Sequence, residues 1–299
     1  MISIFRLIRL PNLIIISLTL YFTRLFLIKP MIEISGTEIK LSNLNFFLLN
    51  VSIVFIAAAG YIINDYFDTK IDFINKPEKV IIDKKINRKH AIVWHIILSV
   101  IGVLIGFYLA FRVGMPKLCL IHILSVGLLW FYSTDFKRMF LIGNIVVSIL
   151  SGLIPLMAAL FEPNKIYISF IYIIGYCAFA FIISLIREII KDMEDIKGDA
   201  ILNCKTVPVV LGIKVSKSIV ISISLATMLA MGYIQSMQYH SNDIISFWYF
   251  MITLQLPFIT LLYLLIKAES PKQFHTASAI TKIIMLTGVL SMYIFYATL

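Results

Sequence analysis

"NFFLLNVSIVFIAAAGYIINDYFDTKID", residues 45–72, runs through a long apolar stretch and then sets Asn64, Asp65, Asp68 and Asp72 close together. About twenty apolar residues are what a helix needs to cross a hydrocarbon core of roughly 30 Å. The fold is decided here, because the segment reads as a membrane-crossing helix that ends in packed carboxylates. Asp, Glu, Lys and Arg together make only 14% of the chain, so three aspartates within eight positions need a partner that offsets their repulsion.

The same apolar habit recurs along all 299 residues, 60% of which are hydrophobic, and the mean hydropathy is +0.96. Such values lie far outside the range of a soluble domain. Nine spans are predicted, at about 11–29, 45–64, 91–111, 118–134, 140–161, 166–186, 216–237, 246–266 and 280–298. Long unbroken runs argue for helices, since barrel strands would show roughly 10-residue alternating segments. The expectation is an all-α polytopic membrane protein, a single domain over residues 1–299, with active-site loops at about 65–90 and 187–215. Arg6 and Arg9 precede the first span as in a signal peptide. Tyr21, Phe22, Thr23 and Arg24 stand where a small-residue cleavage site belongs, so the span is read as retained.

The net charge of +10 follows the membrane topology rather than a nucleic-acid surface. With nine spans, 20 of the 26 Lys and Arg fall on the side of the N-terminus, which the positive-inside rule makes cytoplasmic, with the C-terminus outside. The cell membrane is the expected location, and no nucleic-acid partner is expected. Cys119, Cys177 and Cys204 show no C-x-x-C spacing, and none of the five histidines forms an i,i+4 pair, so neither residue type suggests a metal site. The histidines are read as solvated or locally bonded.

Ten of the sixteen acids lie in two windows, Asp65 to Asp83 and Glu188 to Asp199. Within them D-x-x-D-x-x-x-D appears twice, at Asp65, Asp68 and Asp72 and again at Asp192, Asp195 and Asp199, each member offset by 127 residues. Both copies end an apolar span, the second and the sixth, which suggests two pseudo-repeated halves. On a helix, positions i, i+3 and i+7 share an arc of about 60°, so each trio presents its carboxylates on one face. Asn64 stacks beside Asp68, four residues on.

Carboxylates and an amide without nearby Cys or His are hard ligands suited to Mg²⁺ or Ca²⁺. Neither window has the central Gly and terminal Glu of a calcium-binding loop. Mg²⁺ commonly shares its coordination with phosphate oxygens, so two acidic helix ends facing each other suit Mg²⁺ held against one diphosphate. The neighbouring bases agree: Lys70, Lys76 and Lys79 follow the first motif; Arg187, Lys191 and Lys197 interleave with the second; "YSTDFKR" adds Tyr132, Lys137 and Arg138.

These residues resemble the UbiA-type intramembrane prenyltransferases. "NDYFDTKID" is similar to their first aspartate-rich motif and "KDMEDIKGD" to their second. "RLPN" at 9–12, "INKP" after the first motif, "YSTDFKRMFLIGN" at 132–144 and "NCKTVPVVLG" at 203–212 line up as well. The resemblance implies Mg²⁺-dependent transfer of a prenyl group from an isoprenoid diphosphate to a lipophilic acceptor within the lipid bilayer. It carries over Asp65, Asp68, Asp72, Asp192, Asp195 and Asp199 as catalytic residues, with Asn64, Asp68, Asp192 and Asp195 as metal contacts. Lys76, Lys79, Lys137, Arg187 and Lys191 are implied diphosphate contacts, and Asn12 and Tyr132 line the cavity.

Among the branches of the family, "REIIKDMEDIKGD" followed by "KTVP" looks most like the enzymes that add a second geranylgeranyl chain to geranylgeranylglyceryl phosphate. An aromatic acceptor such as 4-hydroxybenzoate is the alternative. The chain departs from the family after "INKPEK", where "VIIDKKI" replaces the common Pro and Pro-Ser-Gly turn. A membrane transporter is the reading from another class. Transporters tend to bind near the midplane on broken helices, whereas here the acids gather at one membrane face.

Overall fold

The second span begins where Ser42 caps it, its hydroxyl accepting from the Asn45 amide at 3.2 Å, and it continues unbroken from Asn43 to Asn75. Lys76 and Pro77 end it, since proline offers no amide to continue the ladder. In the computed structural model, which describes residues 2–78, 80–164 and 167–298, with the side chains of 2, 3 and 167–169 set aside, nine such helices are long and apolar enough to cross a membrane. They are α1 Leu10–Ile34, α2 Asn43–Asn75, α3 Arg88–Arg112, α4 Pro116–Thr134, α5 Ile142–Leu160, α6 Tyr167–Ile201, α7 Val207–His240, α8 Ile244–Lys267 and α9 Pro271–Thr298. Each contains the core of one span expected from the sequence.

The helix ends differ from that expectation in a way that matters for the site. Residues 65–75 and 187–201, expected as parts of loops, are helix. An α-helix satisfies its backbone polar groups internally, so the first charged residue does not stop it, although it stops an apolar window. The end of α6 comes instead at Asn203, whose φ of +56° is the left-handed conformation common just past a helix. At the other end of the bundle, α1 runs on to Ile34 through a π-turn at Thr23–Ile28, where the Thr23 hydroxyl donates to the Thr19 carbonyl at 2.7 Å.

Small residues let the helices approach. Ser52 on α2 donates to the Gly102 carbonyl on α3 at 2.6 Å. On α5, a Cβ at Gly152 would lie 2.8 Å from the Cys177 carbonyl oxygen of α6. Such contacts suit membrane bundles, in which packing rather than hydrophobic exclusion drives helix association. One buried cluster joins Leu20, Phe46, Leu49, Met157 and Phe161; another joins Ile186, Ile190, Phe258, Phe274 and Ile284. Exposed Leu104, Leu124, Leu229 and Tyr233 clothe the outside.

Gly152→Val is expected to push α5 from α6 and to cost about 1–3 kcal/mol of stability. Thermal unfolding of the purified protein in detergent measures this, and a midpoint equal to the wild type would contradict the close approach.

Candidate active site

Two helix ends carry the acidic motifs, and Asn75 joins them. Its Nδ2 donates to the Asp195 carbonyl oxygen at 3.0 Å, and its Oδ1 accepts from the Gly198 amide at 2.9 Å. Next to it, the Lys76 ammonium lies 2.7 Å from both Glu194 and Asp195. Burial works against this lysine's charge, but Asp195 and Glu194 outweigh it and hold its pKa above the ordinary value. The ends of α2 and α6 are therefore tied side by side, running in the same direction.

The first motif surrounds Asp68, which is buried. It accepts from Asn64 Nδ2 at 2.7 Å and pairs with Lys137, which the short turn after α4 delivers. Burial alone would lower the Lys137 pKa; the attraction of Asp68, then of Tyr132 and Asp72, raises it well above the lysine range. Asp65 pairs with Arg9 at 2.8 Å, and Asp72 is half-buried on the same helix. In the second motif, Asp192 accepts from Asn144 Nδ2 at 2.7 Å and Asp199 accepts from the Thr206 hydroxyl at 3.2 Å.

Below these carboxylates, toward the bundle interior, runs a cavity. Its polar end is lined by Arg9, Asn12, Asn64, Tyr132, Arg187, Glu188, Lys191 and Lys282, and its apolar length by residues such as Ile16, Ile53, Leu150, Ile154, Phe179 and Val289. Glu188 is buried and receives both Arg187, at 2.7 Å, and Lys191, at 3.3 Å. Asn12 donates to the Tyr61 hydroxyl at 3.3 Å. The structure thus gathers every expected site residue it describes at one end of the bundle; Lys79 lies outside the described residues.

Among the described residues, no group of three or more His, Cys, Asp or Glu side chains is close enough to hold a metal ion by itself. Beside Asp68, however, the buried Asn64 Oδ1 has no hydrogen-bond partner. A hard oxygen set of this kind, short of a closed cage, fits Mg²⁺, which keeps water and phosphate oxygens among its ligands.

Sequence reading missed several members of this site. Arg9, Asn75 and Asn144 lie in "RLPN", "INKP" and "YSTDFKRMFLIGN" but are given no role there, and Lys282 has no motif around it. A lysine inside an apolar span, as at 282, is a further signal that could have been followed. Of the histidines, His122 is buried on the cavity wall.

A family model described as the UbiA prenyltransferase family matches residues 35–293. The chain belongs to the UbiA prenyltransferase family. It is thus an integral membrane prenyltransferase. The digeranylgeranylglyceryl phosphate synthase of Methanosphaera stadtmanae is 33% identical over 241 residues, 80% of this chain and 83% of its own. The protein of the same name from Thermococcus sibiricus is 34% identical over 212 residues, 68% of this chain and 71% of its own. A solved digeranylgeranylglyceryl phosphate synthase structure shares the fold with a TM-score of 0.64 at 24% identity, covering 99% of this chain and 98% of that one. A UbiA homolog from Archaeoglobus fulgidus bound to DMAPP and Mg²⁺ also shares it, with a TM-score of 0.58 at 15% identity over 97% of this chain and 99% of that one.

Lys137→Met leaves the Asp68 charge buried without its cation and is expected to cost about 3–5 kcal/mol. Adding Asp68→Asn should recover part of that loss, which thermal unfolding in detergent measures. In the wild type the raised Lys137 pKa means that its stabilisation is complete below the unfolded-state value near pH 10.4 and fades as pH rises toward the folded value. The unfolding midpoint should therefore hold from about pH 7 to about pH 10 before this contribution fades.

Proposed function

We propose that this prenyltransferase moves a geranylgeranyl group from its diphosphate to geranylgeranylglyceryl phosphate, with Mg²⁺ as cofactor. The observation that carries the reading is the pair of tied acidic helix ends, with Asp68 and Asp192 on them, standing at the mouth of an apolar cavity. Carboxylates there suit a cation-bound diphosphate, and the cavity suits the tail behind it. Relatives named digeranylgeranylglyceryl phosphate synthase support the acceptor, and the Archaeoglobus homolog bound to DMAPP and Mg²⁺ supports the metal.

The cavity's length supports the chain length. Its α6 wall reaches from Tyr176 to Lys191, which at 1.5 Å per residue is about 22 Å. Four extended isoprenoid units, about sixteen bonds that each advance roughly 1.25 Å along the chain, span roughly 20 Å. The cavity with its polar end is therefore on the scale of a long isoprenoid diphosphate, with the diphosphate at the acidic end.

In the proposed reaction the acceptor's hydroxyl oxygen bonds to the allylic carbon as the carbon–oxygen bond to diphosphate breaks. The diphosphate takes the bonding electron pair, and the hydroxyl proton leaves. Asn64, Asp68, Asp192 and Asp195 would hold Mg²⁺, which when bound neutralises charge on the leaving group. Lys76, Lys137, Arg187 and Lys191 stabilise the same developing negative charge with fixed cations; Lys79 belongs to this set by sequence position. Asp65 orients Arg9, whereas Asp72 and Asp199 hold the outer end of the clamp near Lys137 and Thr206. Asn12 and Tyr132 shape the cavity end, and the apolar walls keep water from the carbon while it carries positive charge.

The whole chain acts as one domain in this proposal, its two matched motifs serving as halves of one clamp. The clamp and the N-terminus face the cytoplasm in the cell membrane, because 20 of 26 Lys and Arg lie on that side. A transporter would instead need broken helices at the midplane, yet α2 and α6 are continuous.

Asp68→Ala or Asp192→Ala should lower Mg²⁺-dependent diphosphate release by roughly 10²–10³-fold or more, with the protein still inserted and folded. Substantial turnover in either variant would refute the two-helix clamp. A panel with geranylgeranyl diphosphate against geranylgeranylglyceryl phosphate and 4-hydroxybenzoate should give product only with the former; product only with the latter would reassign the acceptor.

A further inference from the structure

The cavity end beneath the clamp is basic, not acidic. Four cations line it, Arg9, Arg187, Lys191 and Lys282, with one carboxylate, Glu188, while none of the six motif aspartates is part of its wall. Hydrogen bonds between the helices fix the depth of these groups. Tyr176–Ser291 and Glu194–His275 set the antiparallel register of α6 and α9, which places Lys282 level with residues 185–187. Asn75 with Asp195 and Gly198 sets α2 against α6, so that Asp65, and Arg9 bonded to it, fall at that same level. Arg9, in the turn before α1, thus forms one layer with Arg187 of α6 and Lys282 of α9. Asp68 and Asp192 lie about 5–7 Å further toward the acidic end, at 1.5 Å per residue.

That layer is where the reacting carbon of the donor must sit, between a diphosphate at the clamp and a tail in the apolar cavity. Cations around a carbon that becomes positive oppose the reaction, because fixed charges act on the charge that develops in the transition state. Charges this deep in a bundle are also costly unless matched. Glu188 answers Arg187 and Lys191, and Asp65 answers Arg9, yet Arg187 keeps a buried Nε without a partner. A second anion in the layer resolves both problems. The acceptor is the reactant that brings one, since its nucleophilic oxygen must come to about 3–3.5 Å from the carbon, and a phosphate on the neighbouring glycerol carbon then falls within the layer.

We propose that Arg9 and Lys282, with Arg187 between them and the donor, form a second anion subsite that receives the phosphomonoester headgroup of the lipid acceptor. This rests on the prenyl-transfer reading and adds to it the residues that select a phosphorylated lipid. The subsite is separate from the diphosphate contacts at Lys76, Lys137 and Lys191 and shares Arg187 with them. It makes the acceptor's phosphate a handle for binding beside the reacting carbon.

Lys282→Met tests it, with Lys282→Arg as the conservative control. Two measurements are made on full-length protein in detergent: equilibrium binding of geranylgeranylglyceryl phosphate without donor or metal, and steady-state KM values for donor and acceptor. Geranylgeranylglycerol, which lacks the phosphate, serves as the neutral probe in both. Lys282→Met should weaken the phosphorylated acceptor about tenfold or more, leave the donor KM within roughly twofold, and bind the neutral probe as the wild type does. Lys282→Arg should restore most of the affinity. Should Lys282→Met fail to fold, Arg9→Gln is expected to give the same split. Unchanged affinity for the phosphorylated acceptor, or a donor KM that rises in parallel, overturns the subsite. Wild-type turnover that is indifferent to the acceptor's phosphate overturns the subsite alone; no product from wild type with any acceptor overturns the prenyl-transfer reading with it.

Discussion

The side-chain amide of Asn75 holds together the two helices that carry the carboxylates, and the site depends on that junction. Without it, like charges on α2 and α6 would push the helix ends apart, since each carboxylate pair repels more strongly as water is excluded. Two neutral hydrogen bonds, each worth about 0.5–1.5 kcal/mol, oppose this with geometry as well as energy, because they fix both the distance and the register. The close fit is visible at Gly198, where a Cβ would stand 2.5 Å from Asn75 Nδ2. Lys76 then adds the electrostatic half of the same junction by bridging Glu194 and Asp195.

Helix length turns this junction into a site at the membrane boundary. At 1.5 Å per residue, the 33 residues of α2 reach about 50 Å, well beyond a hydrocarbon core of roughly 30 Å. Apolar residues fill the part that faces lipid and cavity, and the surplus carries the charges to one face. Five of the six motif carboxylates have an answer in the fold: Lys137 for Asp68, Arg9 for Asp65, Asn144 for Asp192, Lys76 for Asp195 and Thr206 for Asp199. The cations beside Asp68 and Asp65 hold those two carboxylates in place ahead of any ligand, so that part of the site need not reorganise to receive a cation.

Much of this was legible in the chain because two strong periodic signals survive without any tertiary information. Apolar runs of about twenty residues report the spans, and a repeated D-x-x-D-x-x-x-D reports a shared helical face. The signals that failed are those which exist only after packing. Asn75, Asn144 and Arg9 fall in stretches that resemble the family, but their partners appear only when α2 meets α6, α5 meets α6 and Arg9 meets Asp65, fifty-six residues away. The burial of His122 is likewise a matter of packing, since it lies against Gly106, where a Cβ would meet the ring at 2.5 Å. The spans drawn from hydropathy stop short of α2 and α6 for a different reason: a hydropathy window ends at charge, but a helix ends where its backbone ladder ends.

The order of the layers gives the site a direction. Passing from the bundle interior toward the acidic end, an apolar tail meets hydrocarbon walls, then the cationic level of Arg9, Arg187 and Lys282, then the carboxylates of α2 and α6. An amphipathic diphosphate can enter this gradient in one orientation only, because reversing it would bury the phosphates among aliphatic side chains and expose the tail to charge. On the proposed reading the same gradient separates the products. A diphosphate released at the acidic end leaves toward water, whereas the lengthened lipid keeps its apolar mass in the cavity and the bilayer. The partition of charge that orients the substrate therefore also opposes return of the leaving group to the carbon it has left.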